Sequence, residues 1–300
     1  MTGDLPPTIP EYFSGKNIFV TGGTGFIGKV LLEKLLRSCP DVGKIFLLIR
    51  SKKGKSPAER VTALTDIPLF DLLKEQHPEN LKKMVPVVGD VNELDLGISE
   101  EDRKTLVEEV NVVYHIAASV RFDDPLKDAI IMNTRGTREA VKLSKQLKHL
   151  EVFFHFSTTY CHTDKEVIDE VMYPPFADWR DAIEIAEKAD PHIVDVFSNK
   201  YMHPFPNTYT FAKRLAEHVV HDYCDGQIPS IILRPSIVIN TMLEPVSGWI
   251  DNFNGPVGIL VASGKGIMRS VYADPEVIAD YVPCDVLIKG ALIATWSKKP

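Results

Sequence analysis

A tyrosine and a lysine four positions apart carry the clearest chemical signal in this sequence. In "YTFAK" (209–213), that spacing puts the side chains of Tyr209 and Lys213 on one face of a helix. A neighbouring cation favours the phenolate, so we expect Lys213 to lower the Tyr209 pKa from its usual value of about 10. The pattern therefore predicts a phenol that exchanges a proton with a substrate oxygen.

The same spacing occurs a second time, in "YFSGK" (12–16). This copy contains a glycine and precedes the first predicted strand, so we do not expect it to present a helical face beside a substrate. Position in the fold therefore assigns the catalytic role to Tyr209 and Lys213.

A cluster of hydroxyl side chains ends another apolar segment, "FSTTY" (156–160). The carboxyl ends of strands are where an open α/β sheet presents side chains to its ligand. A hydroxyl there can hold a substrate carbonyl and share the developing oxyanion charge. We assign this role to Thr158, and Ser157 and Thr159 stay open as alternatives because a slip of one residue reverses which side chain points inward.

The elements that must position these groups alternate between strand-like and helix-like apolar patterns. The predicted strands are 17–22, 44–50, 84–90, 110–119, 151–158 and 230–239, and the predicted helices are 29–39, 126–148 and 208–224. Strands that are apolar along their whole length are typical of a parallel sheet with helices on both faces. We therefore predict an α/β fold, a Rossmann-type doubly wound parallel sheet with a smaller C-terminal substrate lobe.

This fold divides the chain into two predicted parts. Residues 12–240 form the nucleotide-binding domain, with an insertion rich in Pro and acidic residues at about 163–206. Residues 241–300 supply the substrate-binding segments, because the range from about 240 to 270 is rich in Gly and Pro, as is typical of a loop-built lobe or lid.

A glycine-rich loop joins the first predicted strand to the first predicted helix. In "TGGTGFIG" (21–28), Gly22 allows the tight turn, Gly25 lets the backbone approach a pyrophosphate, and Gly28 lets the helix pack closely on the strand. Free amides at the helix N-terminus then face the anion. The loop predicts a dinucleotide cofactor, to whose nicotinamide ribose we expect Lys213 to bond.

The end of the second predicted strand indicates which dinucleotide binds. An NAD site usually has an Asp or Glu there, whereas an NADP site has Arg or Lys near the 2′-phosphate. Here the strand ends in Arg50, followed by Ser51, Lys52 and Lys53. We therefore predict NADPH, the alternative being that this charge run is only a solvated basic turn.

Composition limits the remaining possibilities. The 300 residues are 44% hydrophobic and 25% charged, with a formal net charge of −7, which argues for a small-molecule partner and against nucleic acid. No run approaches the roughly 18 apolar residues that span a bilayer, and the start lacks a leader pattern, so we expect a soluble, intracellular chain. The cysteines lack metal-site or disulfide spacing, which predicts reduced thiols and no metal. They are Cys39, Cys161, Cys224 and Cys284.

Three further polar residues are given structural roles. His115 and His155 lie within apolar strands, so we expect buried core side chains rather than ligands. Cys161 follows Thr158 closely, but no base is paired with it, and we expect a buried thiol rather than a nucleophile.

The motifs "TGGTGFIG", "STTY" and "YTFAK", in this order, resemble the extended short-chain dehydrogenase/reductases. Further segments are similar to the alcohol-forming fatty acyl-CoA reductases of the male-sterility type, from animals (particularly insects) and plants. These segments are "IFLLIRSKKGKSPAER", "HIAASVRFDDPL", "NTRGT", "LRPSIVI" and "EPVSGWIDNFNGPVGI". The resemblance runs from about residue 12 to the end of the chain.

This resemblance implies an oxidoreductase that uses NADPH to reduce long-chain fatty acyl-CoA to a primary fatty alcohol and CoA in two hydride transfers. It places the family's hydroxyl, Tyr and Lys on Thr158, Tyr209 and Lys213, and it matches Asn133 to a helix residue that organises the site. We expect the apolar range 249–267 to form a wall for the acyl chain. The predicted cofactor contacts are Thr21, Gly22, Gly25, Phe26, Ile27, Gly28, Arg50, Lys52, Asp90, Val91, Ala117, Ala118, Asn133, Ser157, Tyr209, Lys213, Pro235, Ile237 and Val238.

The resemblance also implies a longer protein. Family members have a C-terminal helical domain that often carries a membrane-associating segment, and we expect this chain to lack it. Membrane association is expected through that region only, with the full-length protein on the peroxisomal or endoplasmic reticulum membrane and facing the cytosol.

Other activities stay open on the sequence alone. An aldehyde-forming acyl thioester reductase would use the same residues, and a nucleotide-sugar epimerase or dehydratase would share the fold. Arg50 without an acidic partner argues against the sugar enzymes, which retain NAD. A non-catalytic NADP(H) sensor is disfavoured because Thr158, Tyr209 and Lys213 are all present.

Overall fold

A six-stranded parallel sheet forms the centre of the protein. The computed structural model describes residues 6–51, 54 and 56–298. The strands of this sheet are β1 Asn17–Thr21, β2 Ile45–Ile49, β3 Met84–Val88, β4 Val110–His115, β5 Val152–Phe156 and β6 Ser230–Leu233. Their order is β3-β2-β1-β4-β5-β6, and neighbouring strands pair in parallel. The order reverses direction between β1 and β4, where open α/β sheets form their ligand crevice, and it confirms the predicted Rossmann-type fold.

Helices connect and flank these strands. The α-helices are α1 Ile9–Phe13, α2 Phe26–Ser38, α3 Pro57–Thr65, α4 Asp71–Gln76, α5 Glu100–Glu109, α6 Leu126–Ala129, α7 Gly136–Ser144, α8 Trp179–Lys188, α9 Pro191–Met202, α10 Thr208–Cys224, α11 Pro256–Gly264 and α12 Cys284–Ser297. Short 3₁₀ turns cover Pro68–Phe70, Pro78–Lys83, Leu94–Gly97 and Thr159–His162.

Alternating strand residues build a core on each face of the sheet. On one face, Leu31 and Leu35 of α2 pack with Ile288 of α12. On the other, Phe19 and Phe153 of the sheet pack with Val220 of α10, α5 and α7. Full burial of each such side chain stabilises the fold by about 1.5–3 kcal/mol. Since α12 belongs to the nucleotide-domain core, part of the predicted substrate segment 241–300 supports the sheet, and the predicted boundary at 240 stays a prediction.

The predicted sixth strand, 230–239, is two strands that belong to different sheets. β6 ends at Leu233, and β7 Ile237–Ile239 pairs in parallel with β8 Tyr281–Pro283. Pro235 lies between them and has no N–H to donate to a ladder. Its carbonyl oxygen instead accepts from the Thr159 amide at 3.0 Å, so the break in the strand also holds the backbone that follows β5.

The predicted helix 126–148 has an irregular middle. A π-helical segment, Ile130–Arg135, separates α6 from α7. Short π-helical segments inside an α-helix occur frequently at functional sites. Here the π-helical segment contains Asn133, which is buried.

The insertion at 163–206 packs against α10. Its helices α8 and α9 contribute Trp179, Ile183 and Met202 to a cluster that includes Phe211 of α10. The Phe211 ring makes edge contacts with Tyr201 and Phe205, each at 5.5 Å between ring centres. The insertion therefore buries the face of α10 opposite the sheet, and α10 becomes a central helix.

Candidate active site

The glycine-rich loop after β1 has the geometry of a phosphate-binding turn. Gly22 has φ +76°, a conformation that favours glycine. A Cβ on Gly22 would lie 2.6 Å from the Ala117 amide nitrogen, and one on Gly28 would lie 2.3 Å from the Gly22 carbonyl oxygen. Beside Gly25, the residue that precedes α2, an added Cβ would meet the Gly22 oxygen at 3.3 Å. The loop is thus closed toward the protein and more open at Gly25.

Thr21 has a structural role in this loop. Its side chain is fully buried, and its hydroxyl lies 2.8 Å from His115 Nδ1 and accepts from the Ala117 amide at 3.3 Å. The Thr21 hydroxyl therefore joins the ends of β1 and β4, and the nucleotide contact of Thr21 stays a prediction.

The segment after β4 is fixed by Asn133. The Asn133 amide accepts from Ser119 N at 2.9 Å and donates to Ser119 O at 3.0 Å. These paired bonds hold the half-buried backbone of Ala117 and Ala118 beside the crevice. The resemblance assigned an organising role to Asn133, and the geometry shows which backbone it organises.

A cavity of about 640 Å³ lies beyond the ends of β2 and β3. Its lining residues are Arg50, Ser51, Arg60, Val88, Gly89, Asp90, Glu93 and Gly97. It brings together Arg50 and Asp90, two of the predicted cofactor contacts. Lys52, another predicted contact, lies outside the described residues.

Arg60, on α3, is a cation of this cavity that sequence reasoning missed. Its guanidinium donates to the Arg50 carbonyl oxygen. Both arginines therefore line the same side of the cavity. The sequence signal was available in "SPAER", since the cap residue Ser56 starts a helix that returns toward β2. Only the structure shows that this return brings Arg60 to Arg50.

The remaining predicted contacts line the crevice or support it. Phe26 is half-buried and stacks on Trp249 at 5.6 Å between ring centres. Ile27 is half-buried as well, and Val91 is buried in the core on the α7 side of the sheet. Pro235 is buried and Ile237 and Val238 are half-buried around the strand break.

The three hydroxyls after β5 differ in their surroundings, although Thr158 and Thr159 share the Pro235 carbonyl as an acceptor. The Thr158 hydroxyl accepts from the Tyr160 amide at 3.2 Å and donates to the Pro235 carbonyl at 3.5 Å, and it lies close enough to Tyr209 to lower the pKa of that phenol slightly. Ser157 donates to Glu217 at 2.5 Å, and Thr159 donates to the Pro235 carbonyl at 3.4 Å. The geometry thus favours Thr158 over the two alternatives as the partner of the tyrosine.

The expected lowering of the Tyr209 pKa is wrong for this structure. Burial raises the Tyr209 pKa to about 12, with a further increase from Cys161 and a smaller opposing effect of the Thr158 hydrogen bond. Lys213 does share the helix face, but its ammonium donates to the Phe156 carbonyl at the end of β5. The phenol is therefore protonated at neutral pH.

Lys213 is buried with its charge. Burial lowers the Lys213 pKa to about 8, while Cys161 and Glu217 oppose that decrease. An ammonium with this pKa is mostly charged at pH 7. It can therefore still stabilise negative charge on a neighbouring oxygen.

Both strand histidines are buried in the core, where we expect hydrogen-bonded side chains; this holds for His115 and is wrong for His155, since neither of its ring nitrogens has a hydrogen-bond partner among the described residues. His115 lies between Thr21 and Thr137, at 2.8 Å and 3.1 Å from their hydroxyls, and burial lowers its pKa to about 3. Burial also lowers the His155 pKa well below its usual value. Burial raises the pKa of the Cys161 thiol, so Cys161 is not an activated nucleophile.

This geometry agrees with the comparisons to known proteins. The family model described as "Male sterility protein" matches residues 20–291. The chain belongs to this family. The model represents a nicotinamide dinucleotide-binding domain, and the matched range contains the glycine-rich loop, the end of β5 and α10.

Two curated relatives show the extent of the similarity. The chain is 44% identical over 289 residues to fatty acyl-CoA reductase 1 of Homo sapiens, covering 96% of this chain and 56% of that protein. It is 40% identical over 288 residues to fatty acyl-CoA reductase 2 of Bos taurus, with the same coverage. The chain therefore spans little more than half the length of these relatives.

Solved structures share the fold. The terminal R domain from the myxalamid PKS-NRPS biosynthetic pathway matches with a TM-score of 0.69 at 23% identity, covering 98% of this chain and 64% of that chain. UDP-glucuronic acid 4-epimerase from Bacillus cereus, in complex with NAD, matches with a TM-score of 0.61 at 20% identity, covering 94% and 73%.

Across residues 6–51, 54 and 56–298, none of the helices combines the length and the apolar character needed to cross a bilayer.

The loop geometry predicts opposite outcomes for two glycine substitutions. Gly28→Ala forces a Cβ against backbone, so we expect a loss of about 1–3 kcal/mol in the free energy of unfolding and weaker dinucleotide binding. Gly290→Ala, on an exposed turn of α12 with open space at the Cβ position, should stabilise the protein by about 0.5–1 kcal/mol. Urea unfolding and a fluorescence titration with NADPH measure both effects. Equal stability of the two variants would contradict the close packing of α2 on the loop.

Proposed function

We propose that this chain uses NADPH to reduce long-chain fatty acyl-CoA to a primary fatty alcohol and CoA in two hydride transfers. The observation that carries the proposal is the placement of Tyr209 close enough to the Thr158 hydroxyl for that hydroxyl to affect its pKa, with Lys213 one turn further along α10. The 44% identity to fatty acyl-CoA reductase 1 of Homo sapiens supports the choice of substrate.

The proposed chemistry uses the tyrosine as an acid. Bound NADPH would supply the hydride in each step. Thr158 and Tyr209 donate hydrogen bonds to the thioester oxygen as negative charge develops on it. Loss of CoA from the resulting hemithioacetal leaves an aldehyde, and in the second step Tyr209 gives its proton to the aldehyde oxygen. The raised Tyr209 pKa keeps this proton available, and the Lys213 ammonium stabilises the phenolate that forms.

Two arginines in the cavity beyond β2 and β3 support NADPH as the proposed cofactor. A phosphate carries about two negative charges at neutral pH, and Arg50 and Arg60 line the same cavity. Guanidinium groups bind phosphate with parallel, charge-assisted hydrogen bonds.

The apolar range 249–267 is the proposed wall of the acyl site. Phe253, Leu260 and Ile267 expose 72%, 66% and 77% of their surface. Covering such side chains with an acyl chain contributes about 0.8 kcal/mol per buried CH₂. Membrane association and the organelle stay predictions of the sequence.

Replacing the cavity arginines should weaken NADPH selectively. Each of Arg50→Ala and Arg60→Ala removes a charge-assisted hydrogen-bond donor, so the KM for NADPH should rise roughly tenfold or more while the KM for NADH changes little. Initial rates with both cofactors measure the effect. Arg180→Ala, which removes a half-exposed arginine side chain of α8, is the matched control. The same increase for both cofactors would show that these arginines do not recognise the 2′-phosphate.

The depth of reduction separates the proposed activity from its alternatives. With palmitoyl-CoA, the purified protein should oxidise two NADPH for each CoA released, and mass spectrometry should detect hexadecanol. One NADPH per CoA with free aldehyde would identify an aldehyde-forming reductase. Tightly held NAD released on denaturation, without acyl-CoA reduction, would identify a sugar-nucleotide enzyme.

The acid role of the tyrosine has a control within the chain. Tyr209→Phe removes the proton donor and should lower kcat about 100-fold or more. Tyr12→Phe, in the second "Y…K" spacing, removes a hydroxyl that bonds Glu151 beside the start of β1 and should leave kcat unchanged. Steady-state kinetics on both variants test the assignment, which full activity of Tyr209→Phe would overturn.

A further inference from the structure

Glu217 is a fully buried carboxylate on α10, one helical turn beyond Lys213. Its Oε1 accepts from Ser157 Oγ at 2.5 Å and Arg234 Nε at 2.9 Å, and its Oε2 accepts from Arg234 Nη2 at 2.8 Å. Cys161 Sγ lies 3.3 Å from Oε1, and His162 Nε2 lies 3.0 Å from Oε2. Nothing in the sequence motifs had pointed to this residue.

The carboxylate stays ionised in this environment. Burial alone would raise the Glu217 pKa, but the hydrogen bonds from Arg234 and Ser157 and the charge of Arg234 hold it below its usual value. A buried ion pair of this kind persists only where further hydrogen bonds compensate for lost hydration. Glu217 is therefore a permanent negative charge inside the site.

Glu217 connects to the catalytic hydroxyl through the end of β5. Ser157, its shortest partner, directly precedes Thr158 in the chain. The Ser157 amide also donates to the Leu233 carbonyl at 2.7 Å, so both the backbone and the side chain of Ser157 are fixed. The direction of the Thr158 side chain depends on this anchor.

Glu217 connects to the insertion through Arg234. The Arg234 guanidinium, which follows β6, donates to the carbonyl oxygens of Asp169 at 3.2 Å and Val171 at 3.0 Å. Three residues after Val171, the Pro174 carbonyl oxygen accepts from Arg214 Nη2 at 2.8 Å. Part of the insertion is thus attached to the sheet by guanidinium groups, one of which Glu217 orients.

Glu217 lies one turn along α10 from Lys213. Cys161 and Glu217 both oppose the decrease that burial causes in the Lys213 pKa, and Glu217 is the one of the two that is ionised, because burial raises the pKa of the Cys161 thiol. The titratable groups around the pair are Tyr209 and Arg214 on α10, His115 on β4, His155 on β5, Cys161 and His162 after β5, Tyr173 in the insertion, and Arg234 after β6.

A metal ion is a poorer explanation of this cluster. Ligand atoms of Cys161, His162 and Glu217 lie within 4.8 Å of one another. However, both Glu217 oxygens already accept from Arg234, and a second cation there would be repelled by the guanidinium. The protein's own cation fills this position.

We propose that Glu217 is a positioning residue of the reductase site, which orders Thr158 through Ser157, anchors the 169–171 segment through Arg234, and provides the counter-charge of Lys213. This inference rests on the proposed function for its effect on catalysis. Its effect on the insertion does not depend on that function.

The test compares Glu217→Gln with a matched double variant. Glu217→Gln should lower kcat roughly 10-fold to 100-fold. It should also move the alkaline limb of the pH profile of kcat/KM, which reports the free enzyme. This limb should shift from about pH 8 downward by roughly one pH unit, because Lys213 loses its counter-charge. Glu217→Asp should restore the limb in part.

Since Glu217→Gln leaves the half-buried Arg234 guanidinium without its anionic partner, this variant is also expected to lose stability. Glu217→Gln with Arg234→Gln removes both charges and should recover thermal stability while the alkaline limb stays displaced. Ser157→Ala should lower kcat without displacing the limb. A double variant with both wild-type stability and a wild-type limb would reduce Glu217 to a structural ion pair and overturn the proposal.

Limited proteolysis provides a readout without substrate. Cleavage within 163–174 should be several-fold faster in the double variant than in the wild type, and Lys188→Ala, an exposed change in α8, should leave the rate unchanged. If the wild type makes no fatty alcohol, the proposed function fails, whereas the proteolysis result still tests the anchor. Unchanged cleavage in the double variant would overturn the anchoring role.

Discussion

The burial of the Lys213 ammonium against β5 is the constraint on which the candidate site depends. A charged side chain can be buried only if nearby groups replace its hydration. The Phe156 carbonyl accepts one of its hydrogen bonds, and Glu217 supplies an opposite charge one turn away. Glu217 in turn requires Arg234, whose remaining N–H groups require carbonyl oxygens from the insertion. One buried charge thus links α10, β5, β6 and the segment 163–206.

These linked contacts give the insertion a role beyond covering α10. Its helices bury Phe211 and the neighbouring apolar side chains, and its first part supplies acceptors for Arg234 and Arg214. Apolar packing sets how closely the insertion approaches α10. The hydrogen bonds of the guanidinium groups are directional, and they set the position of the insertion relative to the sheet. The two kinds of contact act on opposite sides of the same helix.

Sequence patterns predicted the elements whose signals are local. All six strands of the large sheet lie within the predicted ranges, and α10 was predicted at about its observed bounds of 208–224, because apolar periodicity and turn residues act over a few positions. The predicted strand 230–239 was too long, because its apolar pattern continues across Pro235, whereas the residues before and after Pro235 pair with strands of different sheets. Arg60 and Glu217 were missed for a related reason: each acts on residues distant in the chain, and a charged residue on a helix does not reveal its partner.

The direction of the Tyr209 pKa was wrong because spacing on a helix indicates a neighbour but not the surrounding dielectric. The structure's value of about 12 suits reduction better than the expected value would. In the proposed reaction Tyr209 gives its proton to the aldehyde oxygen, so it must regain a proton before the next turnover. A phenolate with a high pKa recaptures a proton readily at neutral pH, whereas a low pKa would favour the reverse oxidation. Burial of Tyr209, with Lys213 to stabilise the transient phenolate, therefore biases the site toward repeated proton donation.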